Sequence, residues 1–154
     1  MTIIELNALN SRQVADLMVL MEELDPTIKV TEEMLERAAE SADTHLFALT
    51  EEDGRIVGCA SLCVFDSPTG RKASIEDVVV LSSCRGRHLG RMLMEHLIDY
   101  ARERLGNVDL HLTSRPQREA ANALYRSLGF ELRETNSYAM KIRCQPCRRL
   151  GGTT

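Results

Sequence analysis

The chain predicts a mixed α/β fold, one sheet flanked by helices in the order β-α-α-β-β-β-α-β-α-β-β. Three observations carry that expectation. Stretches with apolar residues at three- and four-residue steps alternate with short runs rich in Val, Ile and Leu. Turn signals at Asp53-Gly54 and Ser67-Pro68-Thr69-Gly70 separate three of those runs, so an antiparallel meander comes first. A helical stretch then links the last of these runs to a further one, as a crossover between parallel strands would. The length, 154 residues, is that of one domain. Residues 1–143 are expected to form it, and 144–154, with Pro, Gly and paired Arg, a frayed tail.

Each element has its own reason. Residues 2–6 read as a first strand. Val14, Leu17, Met18, Met21 and Leu24 form one helical face that ends near Asp25-Pro26. Thr31 is the expected N-cap of a second helix, with Glu32 and Glu33 in its first turn, running to about residue 42. Strands are expected over 45–49, 56–65 and 73–81. Val78-Val79-Val80-Leu81 is continuously apolar, as in a strand covered on both faces. After a polar, basic loop over 82–88, the apolar face of Leu89, Met92, Leu93, His96, Leu97 and Tyr100 marks a helix to about 105, closed by Gly106. A strand over 108–113 follows, then a helix started by Pro116 and ended by Gly129. The last strands are expected over 130–133 and 138–142.

Composition removes several function classes. Apolar residues are 44% and charged residues 27%, an ordinary globular balance. The net charge of −4 argues against a broad nucleic-acid surface. No apolar run is long enough to span a membrane, and the first residues lack the pattern of a signal peptide. The five cysteines are odd in number and irregularly spaced, which suits a reduced, cytoplasmic protein rather than a disulfide framework. Cys59, Cys63 and Cys84 read as small buried hydrophobes or inert loop thiols. Cys144-Gln145-Pro146-Cys147 is a CxxC without the second pair that a zinc site needs. His45, His96 and His111 have no ligand spacing, so no metal is expected. Glu32, Glu33, Glu36 and Glu40 give the second helix an acidic face, either solvated or able to attract a cationic amine.

Chemistry concentrates in Val78 through Arg91. A buried strand runs into a turn that opens a helix, where unpaired N–H groups and the helix dipole favour an anion. Gly86 and Gly90 allow close backbone approach. Arg85, Arg87, His88 and Arg91 gather positive charge around the opening. The whole reads as a cradle for phosphate or pyrophosphate, or as a solvated basic helix start. Neither the Walker nor the Rossmann spacing is present.

This stretch resembles the GNAT superfamily of acyl-CoA-dependent N-acyltransferases, whose pyrophosphate loop reads Arg/Gln-x-x-Gly-x-Gly/Ala. Here the match is Arg85-x-x-His88-x-Gly90, with His88 in place of the first glycine. Either the backbone at 88 follows its path without a glycine, or the loop sits slightly differently. A second segment, from Arg118 through Asn122, Tyr125 and Leu128 to Gly129-Phe130, resembles the family's Asn-x-x-Ala/Leu-x-x-Leu/Phe-Tyr…Gly-Phe motif. The resemblance covers residues 1 to about 143 and implies acetyl-CoA as cosubstrate. It implies that the main chain of Val78 and Val80 pairs with the pantetheine arm. It implies that the main chain of Arg87, His88, Leu89, Gly90 and Arg91 holds the pyrophosphate, beside Arg85 and Gly86. Asn122 would lie near the cofactor arm, and the Tyr125 hydroxyl near the thioester sulfur as the acid for the departing thiolate. As a bare helix residue, Tyr125 also fits an amphipathic core aromatic. The resemblance allows a homodimer through the last strands or the tail.

Direct attack by a neutral amine needs no covalent enzyme intermediate. It needs a base, for which Glu76 and Asp77 are the nearest candidates, a charged strand end in solvent being the other reading of the pair. Adjacent strand residues face opposite ways, so at most one is expected in the cleft; Glu76 shares parity with Val78 and Val80. The expected function is transfer of an acetyl group from acetyl-CoA to a small-molecule or peptide amine. Ile75-Glu76-Asp77-Val78-Val79-Val80 and Cys84-Arg85-Gly86 further resemble the glucosamine-6-phosphate N-acetyltransferase branch. An amino-sugar acceptor is therefore one alternative, and a non-catalytic acyl-CoA-binding module another. Arg115 and Arg118 read as solvated helix-start residues, or as contacts for an acidic group.

Overall fold

Local signals set most of the framework. A computed structural model describes residues 1–143; the expected tail and the pair Cys144 and Cys147 lie outside the described residues. Strand β1 (Thr2–Leu6) leads to α1 (Ser11–Leu24) and α2 (Glu32–Glu40). Asn10 and Gln13 close a reciprocal capping box on α1. The Thr31 side chain accepts from the Met34 N–H at the start of α2, as its place before Glu32-Glu33 predicts. The meander follows as β2 (Thr44–Thr50), β3 (Ile56–Ser67) and β4 (Gly70–Val80). Then come α3 (Leu89–Tyr100), β5 (Asp109–His111) and α4 (Glu119–Ser127).

The sheet order is β1-β2-β3-β4-β5, antiparallel except for the β4–β5 pair. The mixed single-domain α/β class therefore holds. Two apolar clusters cover the faces. Leu17 and Leu20 of α1 pack with Cys59 and Val79 in one. Met94 and Leu97 of α3 pack with Ala60, Ile75, Val78 and Tyr125 in the other. Tyr100 ends α3 against the sheet: its hydroxyl lies 3.0 Å from His45 Nδ1, which lies 2.8 Å from Glu5. The helix then continues as a π-helical turn, Ala101–Leu105, and stops at Gly106 with φ of 69°.

Two expectations need correction. Pro116 does not open α4; the helix starts at Glu119, after a turn in which Arg118 N–H donates to the Arg115 carbonyl. The last two strands, expected over 130–133 and 138–142, do not form. Residues 131–143 are exposed and form no helix or strand, and pair with no strand among the described residues. Alternation of apolar residues describes a face suited to a sheet, but a strand also needs a backbone partner.

The feature that positions the site is a split. Strands β4 and β5 pair only at Lys72–Asp109, Ala73–Leu110 and Ser74–His111. Beyond those pairs the later part of β4 keeps β3 on one side and, among the described residues, has no strand on the other.

Candidate active site

The strand-to-helix turn after β4 builds one side of the site. Leu81 N–H donates to Val57, and a short 3₁₀ turn, Ser82–Cys84, redirects the chain. Gly86 has φ of 78° and His88 has φ of 59° with ψ of 19°. His88 thus takes the left-handed conformation that a glycine adopts without cost, and it stands as N-cap of α3. Of the two paths the sequence leaves open, the backbone turns without the glycine. The cost is on the order of 1 kcal/mol, and histidine is among the residues that accept it more readily. The first helical bond of α3 runs from Met92 N–H to the His88 carbonyl. The N–H groups of Leu89, Gly90 and Arg91 precede it and point out of the helix end.

These groups border a cleft of about 580 Å³ between the start of α3 and α4. Val80, Arg85, Gly86, His88, Leu89, Gly90 and Arg91 all line it. Those seven of the residues expected to hold the donor are therefore brought together, whereas Val78, Arg87 and Asn122 do not line the cleft. Arg87 turns away, its guanidinium 3.7 Å from Glu51, over a separate hollow with Met1 and Asp53. The Arg91 side chain is engaged, donating to Ser127 Oγ at 2.6 Å and to Glu95 at 3.3 Å. It ties α3 to α4 and leaves the N–H at 91 as the group available to a ligand.

Two contributions escape the sequence reading. The opposite wall of the cleft is α4, through Ala120, Ala121, Ala123, Leu124 and Ser127. Its small side chains keep the cleft open; the Ala-rich run was the available signal, although it also describes an ordinary helix face. The other is Glu23 on α1. Its carboxylate accepts from the Ser82 N–H at 2.8 Å and the Ser82 hydroxyl at 3.2 Å, and lies 3.9 Å from Arg85. It fastens the first turn of the loop to α1. No spacing rule announces a contact across 59 residues. Glu23→Ala is expected to raise KM for acetyl-CoA by about 3- to 10-fold, the size of one or two lost hydrogen bonds, with kcat little changed. Steady-state kinetics on both substrates checks this, and an unchanged KM would remove Glu23 from the site.

Behind the cleft, Tyr125 is 7% exposed and shares an apolar cluster with Val78. Its ring meets Phe130 edge-on at 6.3 Å. Burial pushes its hydroxyl pKa up, against a smaller opposing pull from Arg118. The hydroxyl makes no hydrogen bond to any described residue, which leaves it free to donate elsewhere. Asn122, one turn earlier, donates from Nδ2 to the carbonyls of Arg115 (3.0 Å) and Pro116 (3.4 Å). Its side chain holds the β5–α4 loop and keeps the amide oxygen unused.

Glu76 and Asp77 lie on a β-bulge. The β3–β4 register passes from Cys59–Val79 to Ser61–Glu76, so Ala60 faces both Asp77 and Val78. Asp77 has φ of 53°. Cross-strand partners share a face, so Glu76 stands with Ser61 and Val79, while Val80, opposite Gly58, stands on the other face. The parity that put Glu76 beside Val78 and Val80 is broken by the extra residue. Both carboxylates stand near Cys63 and raise its thiol pKa, after burial as the larger cause. Glu76 accepts a short hydrogen bond from Ser74. Desolvation, and then the Glu76 charge, push the Asp77 carboxyl above the usual range. Cys59 is pushed up to about 12 by burial and by Asp77, which keeps it an unreactive thiol.

Among the described residues no group of three or more His, Cys, Asp or Glu side chains is arranged to hold a metal ion. No helix among them is long and apolar enough to cross a membrane.

A mixed sheet split between two parallel strands, with a strand-turn-helix unit at the split, is the class of fold found in N-acyltransferases. The chain belongs to the acetyltransferase (GNAT) family, whose profile matches residues 13–130. It is 36% identical over 92 residues to streptothricin acetyltransferase of Streptomyces lavendulae, covering 59% of this chain and 47% of that one. It is 36% identical over 95 residues to glucosamine 6-phosphate N-acetyltransferase 1 of rice, covering 55% and 57%. The chain thus spans about half the length of these curated relatives. A solved acetyltransferase of Trypanosoma brucei superposes with a TM-score of 0.73 at 25% identity, over 91% of this chain and 99% of that one.

Proposed function

We propose that the protein transfers an acetyl group from acetyl-CoA to a primary amine by direct attack, as a reduced cytoplasmic enzyme. The observation that carries this is the cleft itself, where the outward N–H groups of Leu89, Gly90 and Arg91 meet the open side of β4. The residues present fit acetyl-CoA. Small side chains on α4 leave room, Arg85 adds positive charge, and the helix end suits a pyrophosphate. When bound, acetyl-CoA supplies the activated acyl thioester.

The chain's own groups divide the remaining work. Unpaired main chain of β4 at Val78 and Val80 orients the donor arm, and a backbone N–H there polarises the reacting carbonyl. Tyr125, from the α4 face, donates its phenolic proton to the leaving sulfur. Glu76 and Asp77, at the bulge, remove the proton from the amine, directly or through water. Burial, and then the Glu76 charge, raise the affinity of Asp77 for a proton, which suits it to that role. Acid and base thus reach the split from different elements. Arg115 and Arg118, on the loop before α4, favour an acceptor with an acidic group, and an amino-sugar phosphate is the second reading on that ground, in keeping with the rice relative.

Calorimetric titration with acetyl-CoA, CoA and adenosine diphosphate tests the donor site. Thiol release across a panel of amines, with amino acids, polyamines, amino sugars, peptides and streptothricin represented, tests the transfer. Saturable one-site binding with amine-dependent thiol release is expected. Binding without release from any amine would mark an acyl-CoA sensor, and no binding at millimolar donor would end the enzyme reading.

A further inference from the structure

The turn into α3 is rich in cations, but its arginines are already committed. Arg85 lies 3.9 Å from the Glu23 carboxylate on α1. Arg87 lies 3.7 Å from Glu51 and faces the other hollow. Arg91 donates to Glu95 and to Ser127 Oγ. The α4 wall of the cleft presents Ala120, Ala121, Ala123, Leu124 and Ser127, none of them charged. His88 differs from its neighbours. It lines the cleft, it is exposed, and its ring makes no hydrogen bond or ion pair to any described residue.

A glycine at this position would have the backbone path without its cost, but no side chain to offer. His88 takes the same path at φ of 59° and adds an imidazole at the N-cap of α3. The ring therefore stands beside the outward N–H groups of Leu89, Gly90 and Arg91. An imidazole is the ordinary side chain whose charge changes between about pH 5 and 8. The arginines around it stay charged throughout that range.

We propose that the His88 imidazolium donates to a pyrophosphate oxygen of the bound donor, and that donor affinity consequently rises as pH falls through the neutral range. This rests on acetyl-CoA being the occupant of the cleft. A pyrophosphate there places negative charge beside the ring and favours its protonated form. The ring N–H then makes a charge-assisted hydrogen bond, in addition to those of the main chain. Binding takes up a proton where the free ring is neutral, so His88 couples donor capture to pH while the chemistry stays with other residues.

Calorimetric titration of the full chain from about pH 8 down to about pH 6 tests this. Two probes are used, acetyl-CoA and 3′-dephospho-acetyl-CoA. The second keeps the pyrophosphate and lacks the terminal phosphate, which itself titrates in this range. The wild-type Kd for both probes is expected to tighten by about 3- to 10-fold as pH falls, the worth of one exposed charge-assisted contact. Net proton uptake should appear as a heat that depends on the buffer. His88→Asn accepts a left-handed backbone without a titrating ring, and His88→Gly relaxes that backbone fully. Each is expected to lose the pH dependence seen with the dephospho probe, and the proton uptake with it. A dependence that persists in either variant overturns the proposal. So does a wild-type affinity for the dephospho probe that is flat with pH, which leaves the donor site standing. Absence of binding by both probes at every pH overturns the donor site as well.

Discussion

Tyr125→Phe is expected to lower kcat by about 10²- to 10⁴-fold, the usual worth of a positioned general acid. KM for acetyl-CoA should stay close to that of wild type, because the ring, its contact with Phe130 and its place beside Val78 are retained. Folding should not suffer, since the hydroxyl makes no hydrogen bond to any described residue. The pH profile gives a second readout. Burial raises the Tyr125 pKa above its ordinary value of 10.0, so the acid stays protonated and activity should not fall on its account below that pH. On the acid side, Asp77 must be ionised to accept a proton. Its pKa is raised, first by desolvation and then by Glu76, so kcat/KM should fall as pH drops through a value above that of a free aspartate. Asp77→Asn, which accepts the same left-handed backbone, should remove that limb. The stability sign is opposite. A carboxyl whose folded pKa is raised favours the fold at low pH, and that contribution is lost as pH rises through the folded value. Asp77→Asn should therefore stabilise the protein at neutral pH and not in acid. If Tyr125→Phe turned over at the wild-type rate, the leaving-group acid would have to be sought elsewhere.

Gly90→Leu should weaken acetyl-CoA binding by about 10- to 100-fold, equivalent to roughly 1.4–2.8 kcal/mol. A Cβ at position 90 would meet only Leu124 Cδ2, at 3.9 Å, in ordinary contact. Alanine should therefore be accommodated with near-normal affinity, and helix propensity predicts no loss of melting temperature. The longer leucine side chain must extend into the space between α3 and α4 that the donor is proposed to use. Titration of both variants with acetyl-CoA and adenosine diphosphate separates the two effects. Loss with leucine but not alanine is the expected pattern. Equal affinity for all three proteins would place the donor outside this cleft.

What the residues announce, and what they conceal, follows from the range of each interaction. Thr31 before Glu32-Glu33, the 3.6-residue faces of α1 and α3, and Asp53-Gly54 between two apolar runs are local signals, and the structure keeps them. The strand-turn-helix path through Arg85 to Arg91 was equally legible, because its signals are local, although Arg87 turns away from the cleft that its neighbours line. The bulge at Asp77 was not. Parity counting assumes one residue on β4 for each on β3, and a single insertion reverses every face beyond it. Glu23 was hidden for a different reason: its partner Ser82 is brought to it only by packing α1 on the sheet. The unformed strands after α4 show the limit of alternation. Tyr138, Met140 and Ile142 specify a face, but the partner that would make it a strand is not specified by their spacing.

The split between β4 and β5 leaves one flank of β4 without a neighbouring strand among the described residues. On the proposed reading, the donor arm completes the sheet there, and substrate becomes a temporary part of the architecture. Conformational stability and metabolic supply are then coupled by mass action: a ligand at 100 times its Kd adds about 2.7 kcal/mol to the folded state. Starved of donor, the same chain would be more prone to local opening at the very place where catalysis occurs. Its lifetime in the cell would then report on the acyl-donor pool.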